Sequence, residues 1–147
     1  DYRPAAGVER MRVGTPPILQ LAALEAALDI WDAVDLHDLR AACLSLGDRF
    51  IAGVEAACPT LRLVTPRAHD QRGSQISFAH PEGYAIMQAL IAQGVIGDFR
   101  APDILRFGIT PLFVGEAEID GAIAALSQIM ASGSWDRPEF KARAKVT

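Results

Sequence analysis

The stretch SQISFAHPEGYAIMQALIAQGVIGDFRAPDILRFGI, residues 74–109, decides the fold of this chain. Its first five residues alternate between polar and apolar, a pattern that predicts a strand. An apolar segment follows, with Pro81 near its start and Gly94 after its end, and these residues are typical of the two ends of a helix. Two short apolar runs around the turn RAPD then predict a pair of strands. The stretch is therefore predicted to be strand–helix–strand–strand.

The sequence on either side adds helices and one more strand. A helix is predicted from Asp35 until Pro59 stops it, a strand over 61–65, and a last helix over 116–130 that ends at Gly133. Together with a first helix before residue 34, the predicted order is α-α-β-β-α-β-β-α. That order predicts an α+β fold, in which helices cover a small sheet.

The composition fits one compact domain with a real core. The chain has 147 residues, of which 50% are hydrophobic. We divide it into a connecting segment with a long helix, residues 1–34, an α+β domain, residues 35–132, and a polar, flexible tail, residues 133–147. The net charge of -4, without a basic run, excludes a nucleic-acid partner. Glu25 and Asp29 interrupt the apolar stretch of the first helix, so we expect no membrane span.

The cysteines and histidines carry no predicted chemistry. Cys43 and Cys58 lie about 22 Å apart along one predicted helix, which is too far for a disulfide. We therefore expect a reduced, cytoplasmic setting. His37, His69 and His80 are scattered without the spacing of metal ligands, so no metal site is predicted.

Arg106 is the strongest candidate for ligand binding from the residues alone. In the predicted strand ILRFGI, residues 104–109, the apolar residues Leu105 and Phe107 define the core face, and Arg106 lies on the other face beside Gly108. A planar guanidinium at that position suits a carboxylate. A salt bridge to Asp98 or Asp103 explains the residue equally well. Arg100, in the turn, is predicted to stabilise the loop.

Thr15 is the second candidate. It precedes Pro16 and an apolar segment with a helical repeat, so it is predicted to cap the first helix, with Pro16 at the first helical position. A helix N-terminus also attracts anions, but Pro16 and Pro17 remove two of the N–H donors. An anion would therefore rely on the Thr15 hydroxyl and backbone N–H.

Three blocks of this sequence resemble the kynureninase family of pyridoxal-phosphate enzymes. They are DYRPAAGVERM (1–11), RMRVGTPPILQLAALEAAL (10–28) and RGSQISFAHPEGYAIMQALIAQGVIGDFRAPDILRFGITPLF (72–113). The resemblance covers residues 1–130 and implies the C-terminal small domain of a type I, or aspartate-aminotransferase, fold. It implies a cytoplasmic homodimer that hydrolyses L-kynurenine, or its 3-hydroxy form, to L-alanine and anthranilate, or 3-hydroxyanthranilate, in tryptophan catabolism.

The resemblance also assigns residues. Arg106 occupies the position that binds the substrate α-carboxylate, while Thr15, with Gly14 beside it, lies near the cofactor phosphate or substrate of the neighbouring subunit. The lysine that carries pyridoxal 5'-phosphate as a Schiff base is expected upstream. The sequence agrees, because its two lysines, Lys141 and Lys145, both lie in the tail. No catalytic residue is therefore predicted in this chain, which alone should be inactive.

Two other interpretations remain open at this point. The chain could belong to another type I enzyme, such as a cysteine desulfurase or an aminotransferase, since these also bind the substrate carboxylate with a small-domain arginine. It could instead be a free-standing regulatory domain that binds a small molecule, because folds of this kind also occur alone.

Overall fold

The structure is a computed structural model, and it describes residues 1–12 and 14–142. The described residues divide into two compact units, with the division between Leu36 and His37. Each unit is described by itself below.

The first unit contains one α-helix, α1 (Ile18–Leu28), between two short 3-10 helices, Gly7–Met11 and Asp29–Ala33. Its N-cap is Pro17, with an extended backbone, so the prediction that Thr15 caps this helix is wrong. The physical reason is the Pro16–Pro17 pair. A residue before a proline is disfavoured in the helical region, so Pro16 is not the first helical residue and the cap moves from Thr15 to Pro17.

The apolar side chains of α1 lie on the surface. The repeat of leucines in the first helix predicts a core-facing stripe, yet Leu21, Leu24 and Leu28 are each at least half exposed, and Trp31 is 43% exposed. The unit contains only one α-helix, so it has no second layer of its own to bury this stripe.

The second unit contains four helices and four strands. The helices are α2 (Leu36–Ala57, of which all but the first residue belongs here), α3 (Gly83–Ala92), α4 (Glu116–Ser132) and α5 (Pro138–Lys141). The strands are β1 (Arg62–Leu63), β2 (Gln75–Ala79), β3 (Asp98–Arg100) and β4 (Ile104–Gly108). Gly94 after α3 and Gly133 after α4 both have positive φ, as the predicted helix ends require. The α+β class and the predicted order of elements up to α4 are confirmed, and α5 is an addition that the sequence did not predict.

The four strands form one antiparallel sheet in the order β1-β2-β4-β3. Strand β4 is therefore central, with Ser77 of β2 opposite Arg106 on one side and Asp98 of β3 opposite it on the other. Strands β3 and β4 form a hairpin, and the Ala101–Pro102 peptide in its turn is cis. This register places Arg106 in the middle of a row across three strands.

The core lies between one face of this sheet and the helices. Phe50 of α2 packs edge-on against Phe78 of β2 and Phe107 of β4, with ring centroids 6.1 and 5.0 Å apart. Leu105 and Phe107 are buried, whereas Arg106 between them is partly exposed and Gly108 is exposed. The predicted assignment of the two faces of β4 is confirmed.

The segment after Gly133, predicted as a flexible tail, is packed in its described part. Helix α5 contacts α3, and the side chains of Trp135 and Phe140 are partly buried against the core. These two aromatic residues give the segment apolar area to bury, which outweighs its polar composition. Residues 143–147, with Lys145, lie outside the described residues.

Candidate functional site

Arg106 lies on the sheet face opposite the core and contacts a carboxylate. Its Nη2 donates a hydrogen bond to Oδ2 of Asp98, its cross-strand neighbour. Its side chain is 28% exposed, and its Nε is buried without a hydrogen-bond partner among the described residues. Arg106 thus uses only part of its donor capacity, since a guanidinium carries five N–H groups.

Asp98 lies between two guanidinium groups. Besides its contact with Arg106, Asp98 forms an ion pair with Arg100, whose Nε is 3.2 Å from Oδ2 of Asp98. The hydrogen bond from Arg106 holds the pKa of the Asp98 carboxyl below its usual range, with the nearby charge of Arg100 acting in the same direction. The alternative that the sequence left open for Arg106, a salt bridge to Asp98, is therefore present in the structure.

The other neighbours of Arg106 leave room above the sheet. Ser77 is buried opposite it, and its hydroxyl lies 3.2 Å from Nε2 of Gln75. Gly108, two residues along β4, is exposed, and a Cβ built there would meet no atom within 4 Å. A carboxylate approaching from this face meets a charged guanidinium with polar side chains around it.

Gly14 and Thr15, the candidates for cofactor binding, lie in the first unit. Both are exposed and precede α1. Gly14 has φ +91°, a conformation that L side chains rarely adopt, and a Cβ there would meet no atom within 4 Å. An exposed hydroxyl and an accessible backbone on a left-handed glycine suit a phosphate.

A second group of polar contacts, which the sequence did not reveal, fixes the loop that leads into β2. Arg72 is buried, with its side chain 2% exposed, and its Nη2 donates to Asp48 on α2. Arg40, also on α2, donates to the backbone oxygens of His69 and Arg72 at 2.6 and 2.8 Å. These contacts hold residues 69–72 on α2 and so position the strand next to Arg106. Nothing in the sequence spacing of Arg40 and Arg72 distinguishes these two residues from ordinary surface arginines.

A cavity of about 570 Å³ lies on the opposite, core side of the sheet. Phe50, Phe107 and Ile109 line it, with Ala122 and Ala125 of α4. Its lining is mainly apolar and also includes Gly108 of β4, residues 93–96 after α3 and the exposed Phe113. The cavity is therefore partly open to solvent, and Arg106 is not among the residues that line it.

Other candidate chemistries find little support in the described residues. Cys43 and Cys58 are buried free thiols, and burial raises the pKa of the Cys58 thiol. Within the described residues, 1–12 and 14–142, no cluster of metal-ligating side chains occurs. Within the same residues, no helix is long and apolar enough to cross a membrane. Lys141, the one lysine described, forms an ion pair with Asp136 and lies over the ring of Trp135.

Comparison with known proteins gives this geometry a family context. Residues 39–126 match the model of the kynureninase C-terminal domain. Kynureninases from Burkholderia mallei (strain SAVP1) and Burkholderia pseudomallei (strain K96243) are 49% identical to this chain over 99% of its length, and one from Pseudomonas fluorescens is 47% identical over the same share. The chain spans 36% of the length of these relatives.

A solved structure shares the fold. A NifS-like protein superposes on 87% of this chain, and on 38% of its own, with a TM-score of 0.68 and 17% sequence identity. At this identity the likeness concerns the fold alone. It confirms the predicted fold class, an α+β fold in which helices cover a small sheet.

Proposed function

This chain belongs to the kynureninase C-terminal domain family, and on that premise we propose that it serves in the hydrolysis of L-kynurenine or 3-hydroxykynurenine. The products are L-alanine and anthranilate or 3-hydroxyanthranilate, within tryptophan catabolism. Identity of 49% to curated kynureninases supports this reaction. The same identity favours this reaction over the two alternatives, another type I enzyme and a free-standing regulatory domain.

Arg106 is proposed to bind the α-carboxylate of the substrate. The observation that carries this role is its position on the free face of β4, where it already holds a carboxylate, that of Asp98. Its buried Nε has no partner in that arrangement, so a second carboxylate oxygen has a donor to meet if the side chain turns outward. Two parallel N–H···O bonds to one carboxylate fix its orientation as well as its position.

The cofactor of the proposed reaction is pyridoxal 5'-phosphate. When bound, this group supplies an electron sink for the cleavage of a carbon–carbon bond. Gly14 and Thr15 are proposed to contact its phosphate, because both are exposed and Gly14 leaves the backbone open. Lys141, the one lysine described, lies after α4 and pairs with Asp136, so the lysine that binds the cofactor is proposed to lie elsewhere in the full-length protein.

Assembly is proposed to be a cytoplasmic homodimer. The half-exposed leucines of α1 support an interface at the first unit, since contiguous exposed apolar side chains mark contact surfaces. In such a dimer Gly14 and Thr15 serve the site of the neighbouring subunit. The segment 1–34 acts as the connection to the rest of the enzyme and residues 35–132 as the small domain. Light scattering of the full-length protein tests the dimer, and a monomer at micromolar concentration would refute it.

The experiment compares Arg106→Ala and Arg106→Lys with wild type in the full-length protein, measuring the release of anthranilate from kynurenine. Loss of a charge-assisted carboxylate contact costs about 2–4 kcal/mol of transition-state binding, which is a fall in kcat/KM of about 30-fold to 1000-fold. Lysine restores part of this loss, because it keeps the charge without the bidentate geometry.

Arg62→Ala is the control, since Arg62 is an exposed arginine on the outer strand β1 of the same sheet. Its kcat/KM should equal that of the wild type. An R106A enzyme with unchanged kcat/KM would exclude Arg106 from substrate binding. A wild-type enzyme that releases no anthranilate would refute the reaction itself.

A further inference from the structure

We propose that Asp98 is an exchangeable partner of Arg106. Asp98 pairs with the Arg106 guanidinium until a substrate carboxylate replaces it, and Asp98 then stays paired with Arg100. This inference rests on the proposed role of Arg106 and deepens it, because it adds a positioning residue and a second arginine to the carboxylate site.

The sheet fixes the distance between Asp98 and Arg106. The two residues are directly opposite each other in the β3–β4 register, so their Cα positions do not depend on a loop. Arg100 is on the same strand as Asp98, two residues along, and therefore on the same face. The three side chains form one row on the free face, with the carboxylate between the two cations.

The contact between Asp98 and Arg106 is incomplete. It uses Nη2 of Arg106 only, while the buried Nε of the same guanidinium has no hydrogen-bond partner among the described residues. A buried donor without a partner is unfavourable, and a turn of the side chain toward a free carboxylate would relieve it. Asp98 has a short side chain on β3, so its carboxylate cannot fully follow this rotation of the Arg106 side chain, whereas a substrate carboxylate can.

The charges of the row favour an exchange over simple competition. Two guanidinium groups face one aspartate, so the row carries one excess positive charge. A substrate carboxylate on Arg106 neutralises that excess, and Asp98 keeps Arg100 at 3.2 Å as its partner. Asp98 therefore need not be left unpaired when substrate binds. This gives Arg100 a function that its position at the exposed end of β3 does not by itself suggest.

The test measures how strongly the full-length protein prefers a carboxylate to the matching neutral amide. Isothermal titration calorimetry gives the dissociation constants of L-alanine and L-alaninamide for the wild type, Asp98→Asn, Arg100→Ala and the double variant. The ratio of the two constants isolates the carboxylate contact. Asp103→Asn is the control, because it removes one negative charge from the turn between β3 and β4 without touching this row.

The exchange makes three results follow. D98N raises the preference for alanine about twofold to fivefold, the range for a partly exposed ion pair that no longer competes. R100A lowers the preference, since Asp98 then has Arg106 as its only partner. In the D98N background R100A has no effect, and D103N alone leaves the ratio unchanged. Asp98→Ala repeats the measurement with a side chain that has no hydrogen-bond acceptor.

Different outcomes overturn the inference. A lower preference in D98N would mean that Asp98 supports the bound substrate in place of yielding to it. An R100A effect that persists without Asp98 would show a direct contact with the ligand and no exchange. A wild type that prefers alanine but releases no anthranilate from kynurenine refutes the proposed reaction and leaves this inference standing. A wild type without any preference overturns it.

Discussion

Two ion pairs between α2 and the loop after β1 differ in burial and so should differ in their contribution to stability. Asp48 and Glu55 both lie on α2, seven residues apart, and they accept hydrogen bonds from Arg72 and Arg67 of the loop. The side chain of Arg72 is 2% exposed, whereas that of Arg67 is 67% exposed. We therefore compare Asp48→Ala with Glu55→Ala on the same helix. Asp48 also lies 2.8 Å from Nε2 of His69, whose side chain is 53% exposed, so this second contact adds little to the difference.

The magnitude follows from what each substitution leaves behind. Removal of Asp48 leaves a buried guanidinium without its carboxylate, a loss of about 3–5 kcal/mol when both partners are buried. Asp48 itself is 49% exposed, so water replaces part of its contact, and we expect about 2–3 kcal/mol. Removal of Glu55 leaves an exposed arginine that water solvates, at a cost below about 1 kcal/mol.

Native-state hydrogen exchange of the full-length protein measures both values locally. Amides of β2 and of the loop before it report the free energy of local opening, so unfolding elsewhere in the protein does not obscure the result. We expect D48A to accelerate exchange there about 30-fold to 150-fold, and E55A less than fivefold. Equal effects of the two substitutions would refute the argument that burial of the arginine decides the energy.

Two further predictions concern stability. Burial lowers the pKa of His80, whose Nδ1 accepts the backbone N–H of Glu82 at 3.1 Å. The unfolded state therefore binds the proton more readily than the folded state does. The contribution of His80 to stability is fully present above pH 6.5 and is lost as the pH drops through the folded pKa. In thermal melts, H80Q should flatten this dependence of Tm on pH. Gly97→Ala places a Cβ 2.9 Å from the backbone oxygen of Arg106, besides 2.7 Å from Cε of Met87, and should cost about 1–3 kcal/mol in denaturant unfolding. Gly121→Ala, with no atom within 4 Å, should stabilise α4. A Gly97 variant as stable as wild type would contradict the close packing of Gly97 against α3 and β4.

The order of helices and strands in the second unit could be predicted because local signals and the fold agree there. Pro81 and Gly94 delimit α3, and alternation in residues 104–109 gives the correct face to every residue of β4. Each of these signals acts within a few residues, so no knowledge of the tertiary structure is needed. The start of α1 shows the limit of this approach. Thr15 has the chemistry of a cap, but the two prolines that follow determine the backbone.

The contacts of the arginines could not be predicted, because they depend on residues distant in sequence. Arg72 reads as one more polar residue in a loop, and only the fold brings Asp48 to it and buries it. The short helix α5 was missed for a similar reason. Its segment is polar on average, yet Trp135 and Phe140 find apolar surface that the preceding elements provide. Average composition describes a segment, whereas burial depends on what lies opposite it.

Arg106 combines both situations, and this explains why the sequence left its role open. Its face of the sheet follows from the alternation within β4, but its partner follows from the register between β3 and β4, which the sequence does not state. A salt bridge and a substrate site looked like competing explanations when only the spacing was known. The row Arg100–Asp98–Arg106 makes them compatible, because an aspartate shared by two arginines can release one of them and stay paired. An internal carboxylate of this kind keeps a binding arginine oriented without occupying all its donors.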